Sequence, residues 1–194
     1  MIEDHTLDYL LSINDKYKIM STLKELTAEK HKEAEAQPFL KSIFAGEVDY
    51  FKYVDYLYQL LYIYRVLEEL GDNKHIFAGM DSIKRRNAIE LDYIELMGDP
   101  PYPAVRESTQ EYVNYLKSIA DDGSKLLAHI YVRHMGDLFG GQQLAKLLPG
   151  PNNMYKFDNI PELIKVFRAK CGISLADEAN KAFDYNIKIL KEYD

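Results

Sequence analysis

The chain has 194 residues, a formal net charge of −7 and a single cysteine. That length can bury one sizeable core. The acidic balance argues against nucleic acid as the main partner, since phosphate binding needs concentrated Lys and Arg, and one cysteine excludes an intramolecular disulfide framework. Neither a leader with a basic start and apolar run nor an apolar tail after Lys191 is read, so the expectation is a soluble protein of the cytoplasm, or of a plastid stroma, with no membrane contact. No linker, repeat or low-complexity tract divides the chain; a single domain over residues 1–194 is expected, with residues 1–16 as an N-terminal extension.

Helical periodicity and its stop signals predict the elements in order. Tyr17 to Ala36 forms a first helix closed before Pro38, followed by a short one from Phe39 to Phe44 that ends at Gly46. A tyrosine-rich helix runs from Val48 to Leu70 with Gly71 in the stop position. Ser82 to Met97 is stopped by Gly98, after which Pro100, Pro101 and Pro103 force a loop. Ala104 to Ala120 and Ser124 to Leu148 follow, the latter with a glycine bend inside. Ile160 to Lys170, behind Asp158, and Leu175 to Tyr193, behind Ser174, complete the set. No alternation bounded by hairpin turns signals a strand, so the fold class expected is all-α.

The helix expected from Ser124 to Leu148 carries the most unusual segment, Tyr131-Val132-Arg133-His134-Met135-Gly136-Asp137-Leu138-Phe139-Gly140-Gly141-Gln142. Each interior glycine costs about 1 kcal/mol of helix preference relative to alanine. Gly136 and Gly140 share one face, where bare backbone can approach either another helix or a flat ligand. Asp137 between them is out of place in an apolar packing seam and favours a ligand with a polar reaction centre. In the first helix, Thr27, His31 and Glu35 share a face, with Lys24 two turns before the histidine. His31 taken alone reads first as a surface histidine on a Lys/Glu-rich helix. Glu35, one turn on, is placed to hold the Nδ1–H of a ligating imidazole and leave its other nitrogen for a metal.

Together these two segments resemble the distal and proximal helices of the heme oxygenases. The resemblance spans roughly Leu23 to Leu190 and implies a single-domain helical fold with heme (iron protoporphyrin IX) between a proximal helix and a kinked distal helix. It places His31 as the iron ligand and Asp137, with Gly136 and Gly140, at the reaction centre. By the same resemblance Lys24, Glu35, Tyr64, Tyr131, Arg133, Gly141, Arg168 and Phe183 contribute to heme binding. Tyr64 falls on the family's hydrogen-bonding tyrosine and Arg168 on its propionate-binding arginine. A propionate lysine of the family is matched by Ile164 here, with Lys165 adjacent. Phe183 reads from its residue type alone as a core side chain just as well. The family has an aromatic side chain where this chain has His134.

The resemblance also implies function. The expected reaction is O2- and reductant-dependent cleavage of heme, as both substrate and cofactor, to biliverdin (the IX-alpha isomer by family default), CO and Fe2+. Electrons would come from ferredoxin or a flavin reductase, and a bilin reductase could follow downstream. A non-catalytic heme storage or sensor protein would use the same His31 pocket but would have no need of Asp137. A di-iron carboxylate enzyme is disfavoured because no Glu-x-x-His occurs in the chain. Of the remaining histidines, His5 lies in the N-terminal tail, His75 follows a helix stop and His129 reads as a packed helix residue; Cys171 reads as a buried thiol.

Overall fold

The computed structural model describes residues 23–97 and 103–194. The expected extension over 1–16, the start of the first helix at Tyr17, His5, and the loop-forming Gly98, Pro100 and Pro101 lie outside the described residues. Helix α1 is described over residues 23–35. It is followed by α2 (Pro38–Phe44), α3 (Tyr50–Asn73), α4 (Arg86–Met97), α5 (Glu107–Ser118), α6 (Gly123–Phe139), α7 (Gly141–Leu144), α8 (Ile160–Lys170) and α9 (Ala176–Lys191). Short 3-10 turns stand at Asp81–Ile83, Asn153–Tyr155 and Ile173–Leu175. Among the described residues there is no strand, and no helix is long and apolar enough to cross a membrane.

Two helices organise the core. In α3, Tyr53, Val54, Leu57, Leu60, Leu61, Tyr64, Leu67 and Glu68 are buried at spacings of three and four, which gives one face to α4 and another to α5 and α6. The Asp49 carboxylate caps its first turn by accepting the Lys52 N–H. Helix α6 is buried on several sides, at Leu126, His129, Ile130, Arg133 and His134 among others, because it is clasped between α3 and α9. Each fully buried leucine here, such as Leu57, Leu61 or Leu126, contributes about 1.5–3 kcal/mol of transfer free energy.

Two glycines depart from their expected parts. Gly71 does not stop α3, which continues to Asn73; it is a point of close approach, since a Cβ there would lie 2.5 Å from the Phe77 ring. The long distal helix does not reach Leu148. It breaks at Gly140 and resumes as the single turn α7. Gly141, expected to bind a cofactor, is buried against Tyr155, where a Cβ would overlap the ring. Gly136 is exposed, and a methyl group added there would have no neighbour within 4 Å. We therefore expect Gly141→Ala to destabilise the fold by about 1–3 kcal/mol through overpacking, and Gly136→Ala to leave thermal stability unchanged or slightly raised. Equal melting temperatures for the two variants would show that Tyr155 yields and that Gly141 is not a packing glycine.

Candidate functional site

Helix α9 registers the two helices that carry the motifs. Phe183 and Asn186 lie one turn apart on it. The Phe183 ring meets His31 of α1 edge-on, with centroids 5.7 Å apart, and the Asn186 Oδ1 accepts from Arg133 Nη1 of α6 at 2.9 Å. Further bonds hold α1 to α9: Asn180 Nδ2 donates to the Leu26 carbonyl at 3.2 Å, and Lys30 pairs with Asp184 at 2.7 Å.

On α1, the His31 and Glu35 side chains are each 54% exposed, with Nδ1 of His31 3.5 Å from Glu35 Oε2. Among the described residues, Nε2 has no hydrogen-bond partner. Lys24 is exposed. Thr27, buried, turns back on its own helix and donates to the Leu23 carbonyl at 3.0 Å. Tyr131 of α6 lies half-buried beside Thr27 and Phe167, so α1, α6 and α8 converge there. Arg168 follows Phe167 on α8 and is half-buried. Lys165 is exposed and sits 3.7 Å from Glu162.

On the α6 side, the Tyr64 hydroxyl donates to Asp137 Oδ2 at 2.5 Å. Burial pushes the Asp137 carboxyl up to about 6, against the Tyr64 hydrogen bond and the nearby charges of His134, Arg133 and Arg85, which pull it down. Burial, joined by the Asp137 charge, raises Tyr64 well above the usual phenol range, so it remains a donor. Arg133 is buried and turned inward to Asn186 and the Tyr112 ring, 5.2 Å from its guanidinium carbon. Burial opposes its charge, and the surrounding Tyr112, Tyr56 and Tyr64 hydroxyls more than offset this. Exposed backbone at Gly136 and Gly140, and the 54% exposed Phe139 ring, lie beside the carboxylate.

The structure thus brings together Tyr64, Arg133 and Asp137 on one side, and His31, Glu35 and Phe183 on the other. It turns Gly141 away from them. Several polar residues that received no role from the sequence are buried around α6. Tyr112 hydrogen-bonds His129 Nδ1 at 2.9 Å, and His129 Nε2 lies 3.0 Å from Glu178 Oε1. Since a carboxylate accepts, Nε2 carries the hydrogen and Nδ1 accepts from Tyr112. Burial pushes His129 down to about 4, so this histidine is neutral and fixed in one tautomer. Glu68, fully buried, accepts from the Arg85 N–H at 2.5 Å and lies 3.0 Å from His134 Nε2. A charged residue four positions after Tyr64, on the apolar face of its helix, was the available signal for Glu68. Cys171 is buried, and burial pushes its thiol up to about 12.

The sequence profile described as Heme oxygenase matches residues 17–192. A heme oxygenase of Porphyra purpurea is 31% identical, over 90% of this chain and 86% of its own length. Heme oxygenase 2 of Rattus norvegicus is 31% identical over 89% of this chain and 64% of its own length, so this chain spans a little under two thirds of that mammalian relative. Among solved structures, heme oxygenase-1 of the cyanobacterium Synechocystis, in complex with heme, superposes with a TM-score of 0.80 at 26% identity, covering 89% of this chain and 90% of that one. With its motifs, its helical architecture and a family match over nearly its whole length, the chain belongs to the heme oxygenase family.

Proposed function

We propose that this chain is a heme oxygenase: it binds heme as substrate and cofactor and, with O2 and a reductant, opens the ring to biliverdin, CO and Fe2+. The observation that carries this reading is the Tyr64–Asp137 hydrogen bond beside open glycine backbone. A storage protein gains nothing from a half-buried carboxylate whose pKa is raised toward neutrality, whereas a reaction that consumes protons does.

The residues present fit such a ligand. A Cβ at Gly136 would enter empty space, so bare backbone there can lie against a flat ring. His31 Nε2 is the nitrogen free to ligate iron, with Glu35 fixing the ring through Nδ1. Phe183 walls the imidazole. Lys24, Arg168 and Tyr131 are the groups assigned to the propionates, and Gly140 extends the backbone face. Bound heme supplies the iron at which O2 is reduced and the meso carbon that is oxidised. Asp137, held by Tyr64 and backed by Arg133, holds water on that side and passes protons; Gly136 and Gly140 exclude side chains that would hold the ring off.

The electron donor in this reading is a ferredoxin or a flavin reductase, a bilin reductase is a downstream partner, and the compartment is the cytoplasm or a plastid stroma. Adding heme and a reductant in air tests the whole reading: the Soret band should give way to a bilin spectrum, and a stable heme complex that never yields bilin would overturn it in favour of storage. Arg168→Glu places a negative charge where a heme carboxylate is anchored. We expect heme affinity to fall by roughly tenfold or more, with a mixture of biliverdin isomers on chromatography. A single unchanged isomer at unchanged affinity would remove Arg168 from the site.

A further inference from the structure

His134 lies one turn before Asp137 on α6 and is fully buried. Its ring packs between Tyr64, 5.0 Å away by centroids, and Phe77, 5.6 Å away. The imidazole points Nε2 at Glu68 Oε1, 3.0 Å away, while its Nδ1 is buried with no hydrogen-bond partner among the described residues. Glu68 is itself fully buried, and its oxygens also accept the N–H groups of Arg85 and Arg86. With every contact of Glu68 an acceptor contact, Nε2 of His134 is the donor. Nδ1 is therefore a position that can gain or lose a proton without breaking any hydrogen bond.

We propose that His134, paired with Glu68, is a positioning residue that sets the charge of Asp137 across the shared Tyr64 contact and so fixes the pH range in which the Asp137 carboxylate works. The proposal rests on the heme oxygenase reading for its consequence in turnover, although not for the charge coupling itself. With a proton on Nδ1, the imidazolium is balanced by Glu68 and favours the ionised form of Asp137, one turn away. Without that proton, the Glu68 charge is balanced only from the Arg85–Arg86 side, and the Asp137 carboxylate loses a neighbouring cation. The direction is that of simple attraction between opposite charges: a positive His134 pulls the Asp137 carboxyl down.

The other charged and titratable groups around this pair are few. From α3 come Tyr56, Tyr64 and Glu68. Arg85 and Arg86 stand ahead of and at the start of α4, with Arg86 Nε 4.0 Å from Glu68 Oε2. Arg133 lies on α6 itself, and Tyr155 in the turn after α7. The tyrosines remain neutral across the range in question, since burial raises each of them, and the arginines keep their charge. His134 is thus the one imidazole among these neighbours, and its positive charge pulls the Asp137 carboxyl down.

The experiment is a carboxyl and imidazole NMR titration of the full heme-free chain with labelled aspartate and histidine, for the wild type, His134→Gln and His134→Tyr. Glutamine keeps an N–H for Glu68, and tyrosine keeps an aromatic ring with a hydroxyl donor, so the fold has two routes to survive the change. In the wild type Asp137 should titrate near 6. In both variants the Asp137 midpoint should rise by roughly one unit, and in the heme-loaded enzyme the acid limb of bilin formation should move by the same amount. An Asp137 midpoint unchanged in the variants overturns the proposal. So does a wild-type His134 ring that holds one protonation state throughout, even if both variants fail to fold. A shifted midpoint in a chain that forms no bilin supports the coupling and overturns the function reading instead.

Discussion

Replacing His31 by alanine is expected to reduce heme turnover by roughly 100-fold or more while leaving the apoprotein as stable as before. The imidazole is more than half exposed, and its contacts are the Phe183 edge and the Glu35 carboxylate. Surface substitutions of this kind usually change stability by no more than about 0.5 kcal/mol. Heme should still enter, because the glycine backbone and the Phe183 wall remain, but the optical signature of an axial histidine should vanish. Added imidazole should restore that spectrum by filling the space left by the ring. Glu35→Gln should act in the same direction with a smaller loss, about tenfold, since the amide can still accept from Nδ1. A spectrum and turnover unchanged in His31→Ala would remove His31 from the iron.

Most helices and both motif segments were legible in the sequence because local signals define them. Ile160–Lys170 matches its expected span, with apolar Leu163 and Phe167 four apart and Pro161 in the first turn. The errors arose where a distant residue decides the outcome. Gly71 reads as a helix stop from its neighbours, but Phe77 folds back over it, and α3 runs on to Asn73. Gly141 sits beside two glycines of the distal face, yet its absent side chain makes room for Tyr155, fourteen positions later. The helix was also expected to continue to Leu148; it breaks at Gly140, next to the glycine that meets that ring. The same limit hid the role of Glu68. A lone glutamate on an apolar face is a weak signal until its partners, 17 and 66 positions away, are brought to it. Short-range pattern identifies which segments carry chemistry, and only packing assigns the buried polar residues that support them.

Asp137→Ala is the substitution that separates an oxygenase from a heme carrier. Burial raises the carboxyl to about 6, so between the ordinary carboxylate range and about 6 the folded chain holds a proton that the unfolded chain has released. The contribution of this group to stability therefore falls as pH rises through that window. Ionised at neutral pH, it costs about 3 kcal/mol. Alanine removes that cost but leaves the buried Tyr64 hydroxyl without its acceptor, a loss of about 1–3 kcal/mol. The two partly cancel, and we expect the variant at pH 7 to be between equal to the wild type and about 2 kcal/mol more stable, with the wild type gaining on it as pH is lowered from 7 to 5. Heme affinity should stay near native, since no contact assigned to binding the ring or its carboxylates is removed. Ring opening should fall by roughly 100- to 10,000-fold, the usual worth of a positioned proton donor, with the oxidant diverted to peroxidase-like oxidation of an added phenol. Asp137→Asn should lose less, because the amide oxygen can still accept from Tyr64 and hold water. A carboxylate that served only to tie α6 to α3 would give the opposite pattern: lower thermal stability at every pH and biliverdin formed at the normal rate. Normal bilin yield from Asp137→Ala would refute the catalytic role even if heme bound as proposed.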